Sequence, residues 1–376
     1  MSTTRRAFLA LPGLLPAARG AMASNNYIVY YGSYTQKSSK GIYCGRFDAA
    51  AGKAAEPQLV AEMSNPSFVA LHPNGNNLYA VSEMGAGGNS VTAFAIERSS
   101  GRLRKLNTVS TKGTMPCHVN VDWSGRALAV ANYGSGSVAV MALKPDGRLA
   151  ESASIIQHKG KSADPRRQEG PHAHSVNISR DNRFLIVGDL GLDEVLVYKL
   201  DAATAAITPN TPPFARVKPG SGPRHFTFHP SGKYGYVINE MASTVTAFTW
   251  DGARGALKEI QTISTLPDGY KGDTTTAEVV AHPNGKFLYG SNRGHDSIAV
   301  FAIAADGRLR RIANIPTQGK TPRNFAIDPT GKWLFAANQD SDNIVIFSLD
   351  GSTGLLTATG RQLKMGSPVC VRFLAV

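Results

Sequence analysis

The sequence predicts an all-β protein, a single seven-bladed β-propeller of four-stranded antiparallel blades, and three observations carry that prediction. The first is a repeat. "MPCHVNVDWSGRALAVANYGSGSVAVMALKPDGRL", "GPRHFTFHPSGKYGYVINEMASTVTAFTWDGARGAL" and "TPRNFAIDPTGKWLFAANQDSDNIVIFSLDGSTGLL" share turns and alternation, and further copies begin near Pro66, Pro171 and Thr276. The prolines Pro66, Pro116, Pro171, Pro223, Pro322 and Pro368 step by roughly 46 to 55 residues, with the Thr276 copy filling the one double-length gap. A period of that length, holding four strands' worth of alternation, is the mark of a propeller. The second observation is compositional: abundant glycine among Val, Ile, Thr and aromatics, with no helical periodicity, points to many short strands joined by tight turns. The third is a mismatch of ends. The last ten residues, "SPVCVRFLAV", supply only a first strand, while the N-terminal stretch that begins "YIVYYGSYTQKSSKGIYCGRFD" supplies the second to fourth. One blade is therefore shared between the two ends, which closes the ring and removes free sheet edges.

Each unit reads as strand, Pro/Asp-x-Gly turn, strand ending in Asn or Asp, short loop, third strand ("VTAFAI", "IAVFAI"), Asp-Gly turn and fourth strand. Residues 222–240, "GPRHFTFHPSGKYGYVINE", show the logic of the first two strands. Phe226 and Phe228 alternate into a Pro-Ser-Gly turn, and Tyr234, Tyr236 and Ile238 alternate back. A hairpin brings its ends together, so Arg224 and His225 are expected beside Glu240.

The N-terminus reads differently. "TTRRAFLALPGLLPAARGAMAS" pairs Arg5-Arg6 with Phe8-Leu9, a modest apolar stretch and a small-residue site at Ala21-Met22-Ala23, the pattern of a twin-arginine export signal. Ala10 stands where a lysine is usual, and Arg19 disfavours the ordinary secretion route. Residues 1–23 are thus read as a signal and 24–376 as the propeller, with a periplasmic destination. The chain has no apolar run of 18 residues, so no membrane insertion is expected after processing. Of the formal charge of +13, three units come from Arg5, Arg6 and Arg19. The remaining cations are spread singly, many in "DGRL" and "GK" turns, without the basic stripe of a nucleic-acid module, and nucleic acid is excluded as a partner. Cys44, Cys117 and Cys370 are odd in number, sit in apolar strands and lack metal spacing, so they read as small buried side chains. No metal or other cofactor is expected, and the chain is taken to be a monomer.

In a propeller the first strands line a central channel. The start of each first strand and the end of the second share one face, so two columns of the repeat describe a single mouth. After the Pro position stand Ser67, Cys117, His174, Arg224, Ala277, Arg323 and Val369, and the next column holds Phe68, His118, Ser175, His225, Glu278, Asn324 and Cys370. The second strands end on Glu83, Tyr133, Leu190, Glu240, Arg293 and Gln339. A purely structural repeat would keep these columns monotonous. Here charged types gather around His174, Arg224, Glu240, Glu278, Arg293 and Arg323, which fits an anionic or carbonyl-rich small molecule and a nearby general base. A structural ion-pair ring is the competing reading. His72, His229 and His282 fall in the turn on the opposite face and read as turn residues. Residues 164–170, "DPRRQEG", are a polar insertion expected to act as a flexible lid.

At "GPHAHSVNISRDNRFLIVGDLGLDEV", "GPRHFTFHPSGKYGYVINE", "AEVVAHPNGKFLYGSNRGHDSIAVFAI" and "TPRNFAIDPTGKWLFAANQDSDNIVIF" the chain resembles the seven-bladed propeller lactonase family, which includes bacterial 6-phosphogluconolactonases and fungal carboxymuconate cyclases. The resemblance covers nearly all of residues 24–376. It implies lactone chemistry without a required metal, with a site made of His172 or His174, Arg224, Glu240 and Arg293; His172 rests on the resemblance alone. The expected reaction is hydrolysis of a sugar lactone, with Glu240 or a His activating water, Arg224 and Arg293 stabilising the oxyanion, and His225, Glu278, His295 and Arg323 completing the substrate site. A serine nucleophile is disfavoured because no Gly-x-Ser-x-Gly elbow occurs. A lactone-forming cycloisomerase on a carboxylated muconate, or an exported propeller that only binds a ligand or protein, are the alternatives.

Overall fold

The computed structural model describes residues 25–376 apart from Ala86; the signal read at 1–23 lies outside the described residues. Seven antiparallel sheets account for every strand among them. Blades 2 to 7 are contiguous in sequence: 69–110, 116–157, 173–216, 223–264, 275–316 and 322–364. Blade 1 is the shared one. Pro368–Ala375 is its inner strand and pairs antiparallel with Asn26–Ser33, in register from Tyr27↔Ala375 to Ser33↔Pro368. Gly41–Asp48 comes next outward, and the outer strand is split into Lys53–Ala54 and Gln58–Glu62. The first strand of each blade packs against the first strands of its two neighbours around the whole ring, so these strands form the channel wall.

Between blades the seams are apolar and aromatic. Phe47 of blade 1, Phe335 of blade 7 and Phe373 interlock edge-on, with Phe47 and Phe335 centroids 4.9 Å apart. Such contacts add directional energy to the area they bury. A second device recurs. Tyr30, Tyr79, Tyr236 and Tyr289, all buried, donate their hydroxyls to the carbonyls of Gly101, Gly147, Gly307 and Gly354, each in the outer turn of the next blade. The turn histidines do the same on the lower face: His72, His229 and His282 sit 2.8–3.0 Å from the carbonyls of Gly125, Gly285 and Gly331 through Nε2. They are turn residues, as expected, and their work is to stitch neighbouring blades.

One irregularity positions the site. In six blades the register between first and second strands slips at the residue after the Pro position: Pro223 pairs with Asn239 but His225 with Ile238, and the same step occurs at Cys117, His174, Ala277/Glu278, Arg323 and Val369. A bulge of this kind puts an extra residue into one strand and re-aims its side chain. It explains why two successive residues, Arg224 and His225, both turn to the channel although strand neighbours ordinarily face opposite ways.

Candidate active site

Glu240 ends the second strand of blade 5 and is 6 % exposed. Arg224, across the hairpin, places Nε 2.9 Å from its Oε2. Arg293, ending the second strand of blade 6, brings Nη2 to 2.9 Å from the same oxygen. Arg167, from the 164–170 insertion, donates Nη2 to Oε1 at 2.7 Å. Three guanidinium groups thus converge on one buried carboxylate, and although burial alone would raise its pKa, Arg293, Arg224 and Arg167 together hold it far below the usual carboxylate range. Such charge-assisted bonds are short and strong, and they leave no oxygen free. Of the two kinds of base expected, Glu240 or a His, the geometry favours a His: a carboxylate with both oxygens paired and its basicity lowered is placed as an anchor for arginines.

Arg224 is 2 % exposed. Beyond Glu240 it donates Nη1 to the Ala277 carbonyl at 2.8 Å and to His225 Nε2 at 3.1 Å. Because guanidinium can only donate, Nε2 of His225 is an acceptor, so its proton is on Nδ1 and is given to Glu278 Oε1 at 2.9 Å. His225 is neutral in this arrangement, and burial likewise pushes its pKa down. Glu278 also accepts from its neighbour Val279 N and from Asn324 Nδ2. His225, backed by Glu278, holds Arg224 from beneath and also lines the small void beside Arg224 and Arg323.

Burial lowers the pKa of Arg293 to about 10, with Arg224 and Arg323 adding repulsion, so it still carries its charge at neutral pH. Its Nε is buried without a partner among the described residues. Arg323 pairs with no carboxylate among the described residues; its guanidinium lies 5.2 Å over the ring of Tyr34, whose hydroxyl bonds Glu83 at 2.9 Å. His174 sits deep, with Nδ1 3.8 Å from Cys117 Sγ, and burial together with Arg224 keeps it neutral well below pH 6.5. Burial pushes the Cys117 thiol up, so it is no nucleophile. Arg224, Arg323, His174, Cys117 and Glu83 surround a void of about 10 Å³, room for one water-sized group.

His172 stands higher. Its ring stacks on Tyr133 at 4.6 Å and 19°, and Nδ1 donates to the Tyr133 carbonyl at 3.0 Å. That bond fixes the tautomer and leaves Nε2 as the basic nitrogen, with Glu169 3.4 Å from it. His172 is held by Asp189, which accepts its backbone N–H at 2.8 Å through Oδ1 and the buried His158 Nδ1–H at 2.6 Å through Oδ2. Asp189 occupies the strand-end position where other blades carry Asn132, Asn239, Asn292 and Asn338.

His295 is not brought to this cluster. It bonds Ser297 at 2.6 Å and meets Tyr270 edge-on at 4.7 Å. The insertion, expected to be a flexible lid, is instead pinned: buried Gln168 donates to the Leu190 carbonyl, and Asp164 Oδ1 accepts from the backbone of Arg166 and Arg167. Arg167, His158 and Asp189 were missed as site residues. The insertion signalled Arg167, and the Asn-to-Asp change signalled Asp189; nothing local pointed to His158. Among the described residues no group of three or more His, Cys, Asp or Glu side chains is arranged to hold a metal ion.

A ring of seven blades is the architecture of the family described as "Lactonase, 7-bladed beta-propeller", whose model matches residues 28–373. The 6-phosphogluconolactonase of Bacillus subtilis is 38 % identical over 349 residues, covering 93 % of this chain and 98 % of its own. That of Formosa agariphila is 38 % identical over 308 residues, covering 80 % and 86 %. Among solved structures, the periplasmic gluconolactonase of Pseudomonas aeruginosa superposes with a TM-score of 0.88 at 35 % identity, covering 93 % of this chain and 99 % of that one. The chain belongs to the seven-bladed β-propeller lactonase family.

Proposed function

We propose that this protein hydrolyses a sugar lactone, of the 6-phosphogluconolactone or glucono-δ-lactone type, to the aldonic acid. The observation that carries the reading is the convergence of Arg167, Arg224 and Arg293 on Glu240 at the mouth of a lactonase-family propeller. The relatives named above act, by their names, on lactones of this kind. The void beneath Arg224 is too small for a sugar ring, so the ring lies above it and only the carbonyl oxygen points down.

In this proposal His172 Nε2 takes a proton from water, whose oxygen adds to the lactone carbonyl carbon. The oxyanion that forms meets Arg323 and the Nη2 of Arg224, which has no partner among the described residues. Collapse breaks the bond to the ring oxygen, which leaves as a hydroxyl with the proton returned from His172, and the new carboxylic acid gives its proton to solvent and remains beside the arginines as the carboxylate. Glu240 keeps three cations from repelling each other apart. Export to the periplasm belongs to the same proposal; it is supported by the Arg5-Arg6 segment and by the likeness to a periplasmic gluconolactonase.

The test is a panel of γ- and δ-lactones, phosphorylated and not, assayed with the purified protein and corrected for spontaneous opening. Turnover of at least one sugar δ-lactone above the buffer rate is expected. A panel in which no lactone opens faster than in buffer overturns the reading.

A further inference from the structure

The larger space in this molecule is at the other end of the channel. A chamber of about 1030 Å³ opens on the face that carries the turn histidines, at the upper limit of small-molecule pockets. Its construction is visible in the repeat. Two residues beyond the Phe68/His118 column, the channel-facing position holds Ala70, Asn120, Asn177 and Val280, and in blade 1 it holds Arg372. At this level of the repeat one long cation, Arg372, therefore projects among smaller side chains.

Several of the groups around it keep hydrogen-bonding capacity to spare. Arg372 lies 4.5 Å over the ring of Phe68 and donates Nη1 to the Val371 carbonyl. It makes no ion pair among the described residues. His118 packs on the same Phe68, centroids 4.0 Å apart, and accepts the Val176 N–H at Nδ1 (3.4 Å), so its proton is on Nε2, a donor without an acceptor among the described residues. Asn120 and Asn177 each spend one amide hydrogen, on the Val176 carbonyl and Ser175 Oγ at 3.4 Å, and keep their carbonyl oxygens free. Glu278, in the floor, is fully engaged by His225, Val279 and Asn324.

We infer that this lower chamber binds a small hydroxylated monocarboxylate, with the carboxylate on Arg372 and His118 and hydroxyls on the amides of Asn120 and Asn177. An apolar ligand would cover Arg372 without giving it a counter-charge. Arg98 also lines the chamber, but at its rim, where its guanidinium is spent on the carbonyls of Gly75 and Ala375; a dianion such as a phosphate ester would bring its second charge toward Glu278, whose partner His225 is neutral. A single negative charge with hydroxyl donors is the class that matches. The layer of Phe68, His118 and His225 separates this chamber from Glu240, so the inference stands apart from the reaction proposed above.

The experiment is calorimetric titration of the full chain with D-gluconate, with sorbitol and acetate as the neutral polyol and the bare carboxylate. Saturable gluconate binding is expected, stronger than either control. Arg372→Met removes the charge-assisted contact and should weaken binding at least about tenfold, whereas Arg293→Ala at the upper mouth should leave this binding in place. Asn177→Asp, nearly isosteric, brings a like charge to the carboxylate and should also weaken it; it decides the matter if Arg372→Met does not fold. No saturable binding, equal binding by sorbitol, or wild-type affinity in whichever of the two chamber variants folds overturns the inference. So does binding that Arg293→Ala abolishes and the chamber variants do not.

Discussion

Arg224 and Glu240 close the blade 5 hairpin with a bond of 2.9 Å from Nε to Oε2, both side chains buried, and two further arginines share the same carboxylate. Arg224→Ala is expected to lower turnover on the order of 10²-fold or more if its guanidinium faces the oxyanion. Glu240→Gln should lower it too, by a route specific to this geometry: three arginines lose their shared counter-charge and move. Melting temperature and corrected lactonase rate measured on the same preparations separate the roles. An unstable Glu240→Gln protein with full activity per folded molecule would make the cluster scaffolding only.

His172 and His174 should differ sharply. With Nε2 of His172 as the proposed base, His172→Ala is expected to lose roughly 10²- to 10⁴-fold in turnover, the usual worth of general base catalysis. Added imidazole should restore part of it. Rescue in His174→Ala and none in His172→Ala would assign the base to the deeper histidine.

Arg323 is the mouth arginine without a carboxylate partner among the described residues, so it is the cation available to a substrate anion. Placed on the oxyanion, it should act alike on all substrates: Arg323→Met should lower kcat/KM for a phosphorylated lactone and its unphosphorylated counterpart by similar factors. A loss confined to the phosphorylated substrate would show that it reads an anionic tail and not the carbonyl region.

Acid stability depends on the buried histidines. Burial holds His118 and His174 well below 6.5, and His225 is also lowered. These groups stay neutral when folded but take up protons when unfolded, so stability is complete above the unfolded pKa and is lost as pH falls below it. Glu240, with its pKa depressed, has the same sign in a lower window, losing its contribution as pH drops through and below the ordinary carboxylate range. The melting temperature should therefore fall as pH goes from 7 to 5 and fall further below 4.5. His118→Asn should flatten the upper part and Glu240→Gln the lower part. A melting temperature independent of pH over both windows would contradict the assignments.

Processing is the last expectation. Native protein should begin near Ser24 and reside in the periplasm, as N-terminal sequencing of a fractionated culture would reveal. Cytosolic protein beginning at Met1 or Ser2 would refute it.

The repeat alone determined the ring of seven, the shared blade and the gathering of Arg224, Glu240 and Arg293 at one mouth, because strand alternation and hairpin closure are local rules that act within about twenty residues. What those residues do was decided only in three dimensions. Glu240 reads in sequence as a base; its basicity is lowered by Arg293 and Arg224, and further by Arg167, brought from 73 positions away by an insertion that Gln168 and Asp164 pin in place. His225 reads as a mouth residue; the bulge turns it downward against Glu278, from the next blade. His158 has no sequence signal at all, and only folding sets it against Asp189 beneath His172. Propensity and alternation place a side chain on a face, but a carboxylate's charge state and a histidine's tautomer depend on which partners surround it within about 3 Å, and in a propeller those partners come from different blades.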